Sequence, residues 1–255
     1  MTKNLVKVDR KNRETTHDAG IKGQPGVRGM VRLRDRSHQV ARRLHGVYGS
    51  PRHDNKDDPL DELIFIILSQ MTTHKALVRV FDSIKERYKT WEPLADMSLT
   101  KLKALIFNAG LSQNKAPRIK NILRKIRKDF VEVSLERLHE MPDAVAERYL
   151  LSLPGVGTKT AKCVMLFALD RKVLPVDTHV LRVSRRLELL GERVSEQHIH
   201  PALEQVVRPK DRYSFHVNMI AHGRTVCLAV RPRCEDCILN TICPYPEKQG
   251  QITEC

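Results

Sequence analysis

The chain has 255 residues, with 45 Lys and Arg against 30 Asp and Glu, a net charge of +15 and 41% hydrophobic side chains. That is enough apolar material for one large or two modest domains, and it excludes a miniprotein held together by disulfides. A cationic excess of this size points to polyanions, nucleic acid first, whereas only 5% aromatic residues argue against an extended base-stacking platform.

Residues 1–36 hold ten basic side chains against four acidic ones, and Gly20, Gly23, Pro25, Gly26 and Gly29 interrupt any period. A mobile basic tail is expected there. The first residues lack the apolar core of a secretory signal, and apolar runs such as residues 63–68 are far too short to span a bilayer. A cytoplasmic, nucleoid-associated protein with reduced cysteines is therefore expected.

The rest of the chain reads as successive helices. Asp57 and Asp58 precede Pro59, and Asp61 and Glu62 follow; acids offset the exposed amides of a helix start, and Pro has no amide hydrogen to lose. Leu63, Ile64, Ile66, Ile67 and Leu68 then make a helix that is buried nearly all round. Ser98 opens a helix carrying Leu99, Leu102, Leu105 and Ile106, which residues 108–110 close; Ile119, Ile122, Leu123 and Ile126 give a 3.6-residue period over 115–126. Further helices are expected at 134–139, 143–151, 158–169, 178–190, 195–207 and 212–226. Strand-like alternation is nearly absent, so the fold class is all-α.

Between two of these helices lies Leu153-Pro154-Gly155-Val156-Gly157, followed by Thr158 and Lys159. Glycines two apart let the chain turn sharply and bring bare amides to the mouth of the next helix, where Lys159 and Lys162 add full charges; such a turn suits a phosphate, although an ordinary tight turn has the same shape. Eighteen residues after Lys159 comes Asp177, in Pro175-Val176-Asp177-Thr178-His179. An amine and a carboxylate at the two ends of one helix-plus-loop unit can converge on a substrate. Taken singly, Lys159 reads equally as a phosphate contact and Asp177 as a helix cap.

Four of the six cysteines, Cys227, Cys234, Cys237 and Cys243, fall within seventeen residues at spacings x6, x2 and x5. Only one C-x2-C pair occurs, which favours a four-cysteine iron-sulfur cluster over structural zinc. Cys163 reads as core and Cys255 as a free terminal thiol.

The stretch from Leu153 to Ala161, followed by Val176-Asp177-Thr178-His179, resembles the signature of the endonuclease III family of DNA glycosylases, and the likeness runs over roughly residues 38–247. The resemblance implies a two-lobed helical DNA glycosylase fold around a DNA-binding cleft: a six-helix lobe with the helix-hairpin-helix at 59–174, and a discontinuous cluster lobe from 37–58 and 175–255. It implies Lys159 as the nucleophile and Asp177 as the catalytic aspartate of a bifunctional DNA glycosylase and AP lyase acting on damaged, oxidised pyrimidines. It identifies the C-x6-C-x2-C-x5-C pattern with a C-terminal [4Fe-4S] loop, whose Arg231 and Arg233 form a basic protrusion. The expected partner is double-stranded DNA with a damaged base or abasic site, bound by a monomer through Gln70, Leu153, Gly155, Val156, Gly157, Thr158, Lys162, Arg231 and Arg233. One stretch departs from the family: Ser69-Gln70-Met71-Thr72-Thr73-His74 has His74 in place of an acid, and Met71 competes with Gln70 for the position that fills the hole left by a flipped base. A mismatch or uracil glycosylase on the same scaffold, a non-catalytic iron-sulfur DNA-binding regulator and a ferredoxin-like carrier are the other readings; the regulator leaves the Lys159 and Asp177 pairing without a purpose, and the carrier needs neither the cationic body nor the hairpin.

Overall fold

The computed structural model describes residues 26–51, 54–191 and 194–245. Among them, eleven α-helices and five short 3-10 turns account for the regular structure, with no strand. No described helix is long and apolar enough to cross a membrane.

Helix α1 (Val27–Tyr48) corrects the expected tail of residues 1–36: its last ten positions are helical, and residues 1–25 lie outside the described region. Gly29 does not break the helix because its inner face is fixed by packing. Met30 and Leu33 rest on the core, and Ser37, Val40, Ala41 and Leu44 are buried at helical spacing. The basic residues of this stretch hold structure, with Arg34 donating to the Gln205 carbonyl and Arg36 to the Leu187 carbonyl and the Glu188 carboxylate.

Helix α2 (Pro59–Ser69) begins as its sequence predicts: the Asp58 carboxylate accepts the amides of Leu60 and Asp61, each at 2.8 Å. Its side chains from Leu60 to Leu68 are buried apart from Asp61, so it runs through the centre of a bundle. Helix α3 (His74–Arg87) has no counterpart among the expected helices, yet Leu77, Val80, Phe81 and Ile84 form its buried stripe and Thr73 caps it. Helices α4 (Glu92–Asp96), α5 (Leu99–Leu105), α6 (Ser112–Phe130), α7 (Asp143–Ser152) and α8 (Thr158–Phe167) follow. The segment expected as a helix at 134–139 is instead a 3-10 turn, Glu136–Glu140.

The chain then passes to α9 (Thr178–Arg186), which ends four residues earlier than expected, α10 (Ile199–Val206) and α11 (Arg212–Thr225). The side chains gather into two apolar cores. One is built from positions between Leu60 and Val173, the other from Val40, Ala41 and Leu44 of α1 together with positions from Leu174 to Leu239.

Between the cores lies a polar junction. Lys162, only 5% exposed, places its ammonium 3.3 Å from Glu147 and 2.9 Å from Glu204, and Glu204 also accepts the Leu174 amide at 2.8 Å. Arg212 donates to the carbonyls of Glu204 and Lys172. This overturns Lys162 as a DNA contact: the side chain points inward, and two carboxylates satisfy its charge.

Candidate functional site

The hairpin joins α7 to α8. Gly155 has φ +71°, in the region that favours glycine, and a Cβ there would stand 2.8 Å from Nε of Arg118. Gly157 has an ordinary φ of −97°, and its missing side chain leaves open space over the start of α8. Leu153 and Val156 turn their side chains into the core, while Gly155, Gly157 and Thr158 are exposed. What the hairpin presents outward is thus backbone at the mouth of a helix that has no side-chain cap, the arrangement that receives an anion.

Arg118, from α6, braces this surface. Its guanidinium donates to the Gly155 carbonyl and, at 3.1 Å, to the side-chain oxygen of Gln70 at the end of α2. Beside Gln70, Met71 sits at φ +51° with its side chain 85% exposed, and Leu111 sits at φ +50°, half exposed. Lys115 is buried below them and donates to the carbonyls of Leu68 and Ala109, each at 2.8 Å; burial lowers its proton affinity. It ties the end of α2 to the turn that precedes α6. His74, the departure from the family pattern, pairs with Asp54 at 2.8 Å on the surface.

Lys159 lies in the first turn of α8, partly exposed. Asp177 caps α9, accepting the Val180 amide at 2.8 Å, and is partly exposed too. Both charges act on Cys163, which is 1% exposed one turn beyond Lys159 and has its thiol pushed up to about 11 by burial. The same thiol feels Glu62 of α2. An amine and three groups able to hold a proton or negative charge therefore share one neighbourhood at the meeting of α2, α8 and α9. Such a set can deprotonate an amine and steady a cation forming next to it.

The four candidate ligands Cys227, Cys234, Cys237 and Cys243 line one pocket with Arg186, Val226 and Tyr245. No three His, Cys, Asp or Glu side chains among the described residues converge tightly enough for a single ion. Burial, and then the neighbouring sulfurs, push the thiols of Cys234, Cys237 and Cys243 up, so thiolates there require positive charge among them. Four cysteines lining one pocket supply the all-sulfur donor set that a four-cysteine iron-sulfur centre takes.

Two α9 residues that sequence reasoning passed over hold this loop. Arg182 donates to the Gly223 and Cys227 carbonyls at 2.7 and 2.9 Å; Arg186 donates to the Leu228 and Ala229 carbonyls and lies 3.2 Å from the Cys227 sulfur. Arg182 and Arg186 stand at i and i+4, the one visible signal that they share a face. Arg231 and Arg233 project from the loop, exposed, with Arg231 at φ +53°.

Residues 64–209 match the family model of the HhH-GPD superfamily base excision DNA repair protein. Endonuclease III of Thermotoga maritima is 33% identical over 202 residues, covering 79% of this chain and 90% of that protein. Among solved structures, a non-covalent endonuclease III-DNA complex superposes with a TM-score of 0.71 at 27% identity, covering 86% of this chain and 98% of the other. A trapped endonuclease III-DNA covalent intermediate gives 0.70 at 28% identity, over 87% and 98% of the two chains.

Proposed function

The chain belongs to the HhH-GPD superfamily of base excision DNA repair proteins, and as an endonuclease III-like DNA glycosylase we propose that it is bifunctional, removing oxidised pyrimidines and then cutting the strand. The observation that carries this reading is a lysine in the first turn behind an anion-accepting hairpin, in the same neighbourhood as the Asp177 carboxylate.

A base inside a duplex cannot show its glycosidic carbon to a lysine, so the damaged nucleotide must rotate out. That costs a few kcal/mol, least where pairing is already impaired. The hairpin amides of Gly155, Gly157 and Thr158 hold the backbone, and exposed Met71 beside Gln70 supplies an apolar wedge that keeps the stack open. Lys159 attacks C1′ as a neutral amine. The base leaves with the glycosidic electron pair and takes up a proton; Nζ, now bonded to C1′, loses a proton, and the C1′–O4′ bond breaks with its electrons going to O4′, which is protonated, so that a protonated Schiff base joins Nζ and C1′. Asp177 steadies the positive charge that develops on the sugar. Loss of the 3′ phosphate by β-elimination nicks the strand, a step that a lysine nucleophile permits and that water does not.

In this proposal Cys227, Cys234, Cys237 and Cys243 hold a [4Fe-4S] cluster, and α1 with the segment after Leu174 forms the cluster lobe that faces the six-helix lobe across the DNA cleft. When bound, the cluster supplies a covalent tether that fixes the loop carrying Arg231 and Arg233 against phosphate. Chelation of iron from folded protein is expected to lower the slope of log affinity against log salt by about 2, one unit per lost phosphate contact. The single-turnover rate at saturating enzyme should stay unchanged. Equal affinity and slope in cluster-free, folded protein would contradict this role.

A strand-cleavage panel over thymine glycol, uracil, G·T and abasic duplexes tests the whole reading. Cutting of thymine glycol and abasic DNA is expected. Base release from uracil or G·T alone would favour the mismatch-type alternative, and no cutting of abasic DNA would remove lyase activity.

A further inference from the structure

Lys115 is 3% exposed, and its ammonium donates at 2.8 Å to two carbonyls that are far apart in sequence, Leu68 near the end of α2 and Ala109 in the turn before α6. Its backbone amide donates to the Leu111 carbonyl at 2.9 Å. One residue therefore holds three points on two turns. Leu68 lies in the last turn of α2, where carbonyls have no partner within the helix, and both Leu68 and Ala109 are fully buried. A buried ammonium is costly unless hydrogen bonds answer it, so the two carbonyls and the cation are bound to one geometry.

Only residues 70–73 separate α2 from α3, and Met71 is the exposed apolar one among them, at φ +51°. A residue other than glycine keeps a positive φ only where its surroundings over-determine it. Part of those surroundings is the second turn: a Cβ on Gly110 would lie 3.4 Å from the Met71 carbonyl, so the two turns meet closely at their backbones. The Lys115 ammonium is the polar tie across this seam, three residues before Met71 on one side and two before Leu111 on the other.

We propose that Lys115 is a positioning residue for opening the base stack: by locking the end of α2 to the turn before α6, it holds Met71 as a rigid wedge. The inference rests on the reading that Met71 keeps the stack open. A side chain pushed between bases is pushed back by their stacking, and it works only while the backbone beneath it resists. Here the load passes through two charge-assisted hydrogen bonds into α6, whose Ile119, Ile122, Leu123 and Ile126 share one apolar core with α2. Buried as it is, Lys115 acts through the turn and not by touching DNA.

The test compares borohydride-trapped adduct formation, at saturating protein, on two substrates with the same abasic site: a fully paired duplex, and a short mismatched bubble whose stack is already open. Lys115→Met, close in volume but without a donor, should lower the ratio of duplex rate to bubble rate about tenfold, within the range for a small displacement made away from the reacting atoms. Lys115→Gln keeps an N–H donor and should recover part of the ratio. Met71→Ser should lower the ratio about tenfold by itself. Adding Lys115→Met to Met71→Ser should then change it by less than about twofold, because residues that act as one unit are not additive. A lysine that only stabilises the fold would slow both substrates equally, or add its whole effect to that of Met71→Ser. Either result, or an unchanged ratio in Lys115→Met, would overturn the proposal. Should Lys115→Met fail to fold, Lys115→Gln is read in its place, alone and with Met71→Ser, and the same pattern is expected with a smaller loss. An unchanged ratio in Met71→Ser defeats the wedge reading itself, whereas a low ratio there beside an unchanged one in Lys115→Met defeats only this inference.

Discussion

Asp177→Asn should bind lesion-bearing duplex almost as well as the parent and turn it over about 10³-fold more slowly, within the range for loss of one charged group acting at the reacting centre. The substitution isolates charge from structure. Asp177 also caps α9 through the Val180 amide, and Asn caps a helix as well as Asp does. Melting temperature should therefore stay within about 1 °C. Asp177→Ala removes cap and charge together and should cost about 1 kcal/mol of stability in addition. Turnover by Asp177→Asn equal to that of the parent would reduce the residue to a cap. The comparison is made by single-turnover base release with a parallel thermal melt.

The second large effect belongs to Lys162 and is one of stability. Lys162→Met leaves Glu147 and Glu204 facing one another without the ammonium that separates them at 3.3 and 2.9 Å. Breaking a buried pair costs about 3–5 kcal/mol, and the partial exposure of both glutamates puts this one near 3. For a chain of this size that lowers the melting temperature by roughly 6–12 °C. DNA affinity below the melt and its salt slope should not change, because the side chain neutralises no phosphate. A stable Lys162→Met with a slope reduced by about one would return Lys162 to the DNA surface. Double replacement with Glu147→Gln and Glu204→Gln should restore most of the lost stability.

Lys162 also shows where sequence legibility ends. Residues 153–159 could be read locally, because a positive φ at Gly155 and a bare helix mouth follow from glycine itself. The buried length of α2 was legible from its unbroken apolar run, and its cap from Asp58 beside Pro59. Lys162 stands only three residues beyond Lys159 on the same helix, so spacing gives the two side chains similar directions. Depth separates them, and depth depends on Glu147 and Glu204 arriving from α7 and α10. Glu62 was hidden for the same reason: an acid near a helix start looks solvated until the facing helix closes over it. In α1, Gly29 and the many Arg weaken the local helix signal, while packing of Met30, Leu33 and Val40 on the second core outweighs it. Helix α3 differs from α1 in that its stripe of Leu77, Val80, Phe81 and Ile84 stands at helical spacing in the sequence itself.

The cysteine loop was legible as four ligands but not as a braced element. Its shape is set by Arg182 and Arg186 reaching across from α9 to carbonyls some forty residues away in sequence, which no spacing within the loop reveals.

Peptide mapping of the borohydride-reduced complex with abasic-site DNA tests the chemistry most directly. Digestion and mass spectrometry should find the deoxyribose remnant on the peptide containing Lys159, bonded at Nζ. A remnant on any other side chain, or none from protein that still nicks the duplex, would contradict the lysine mechanism.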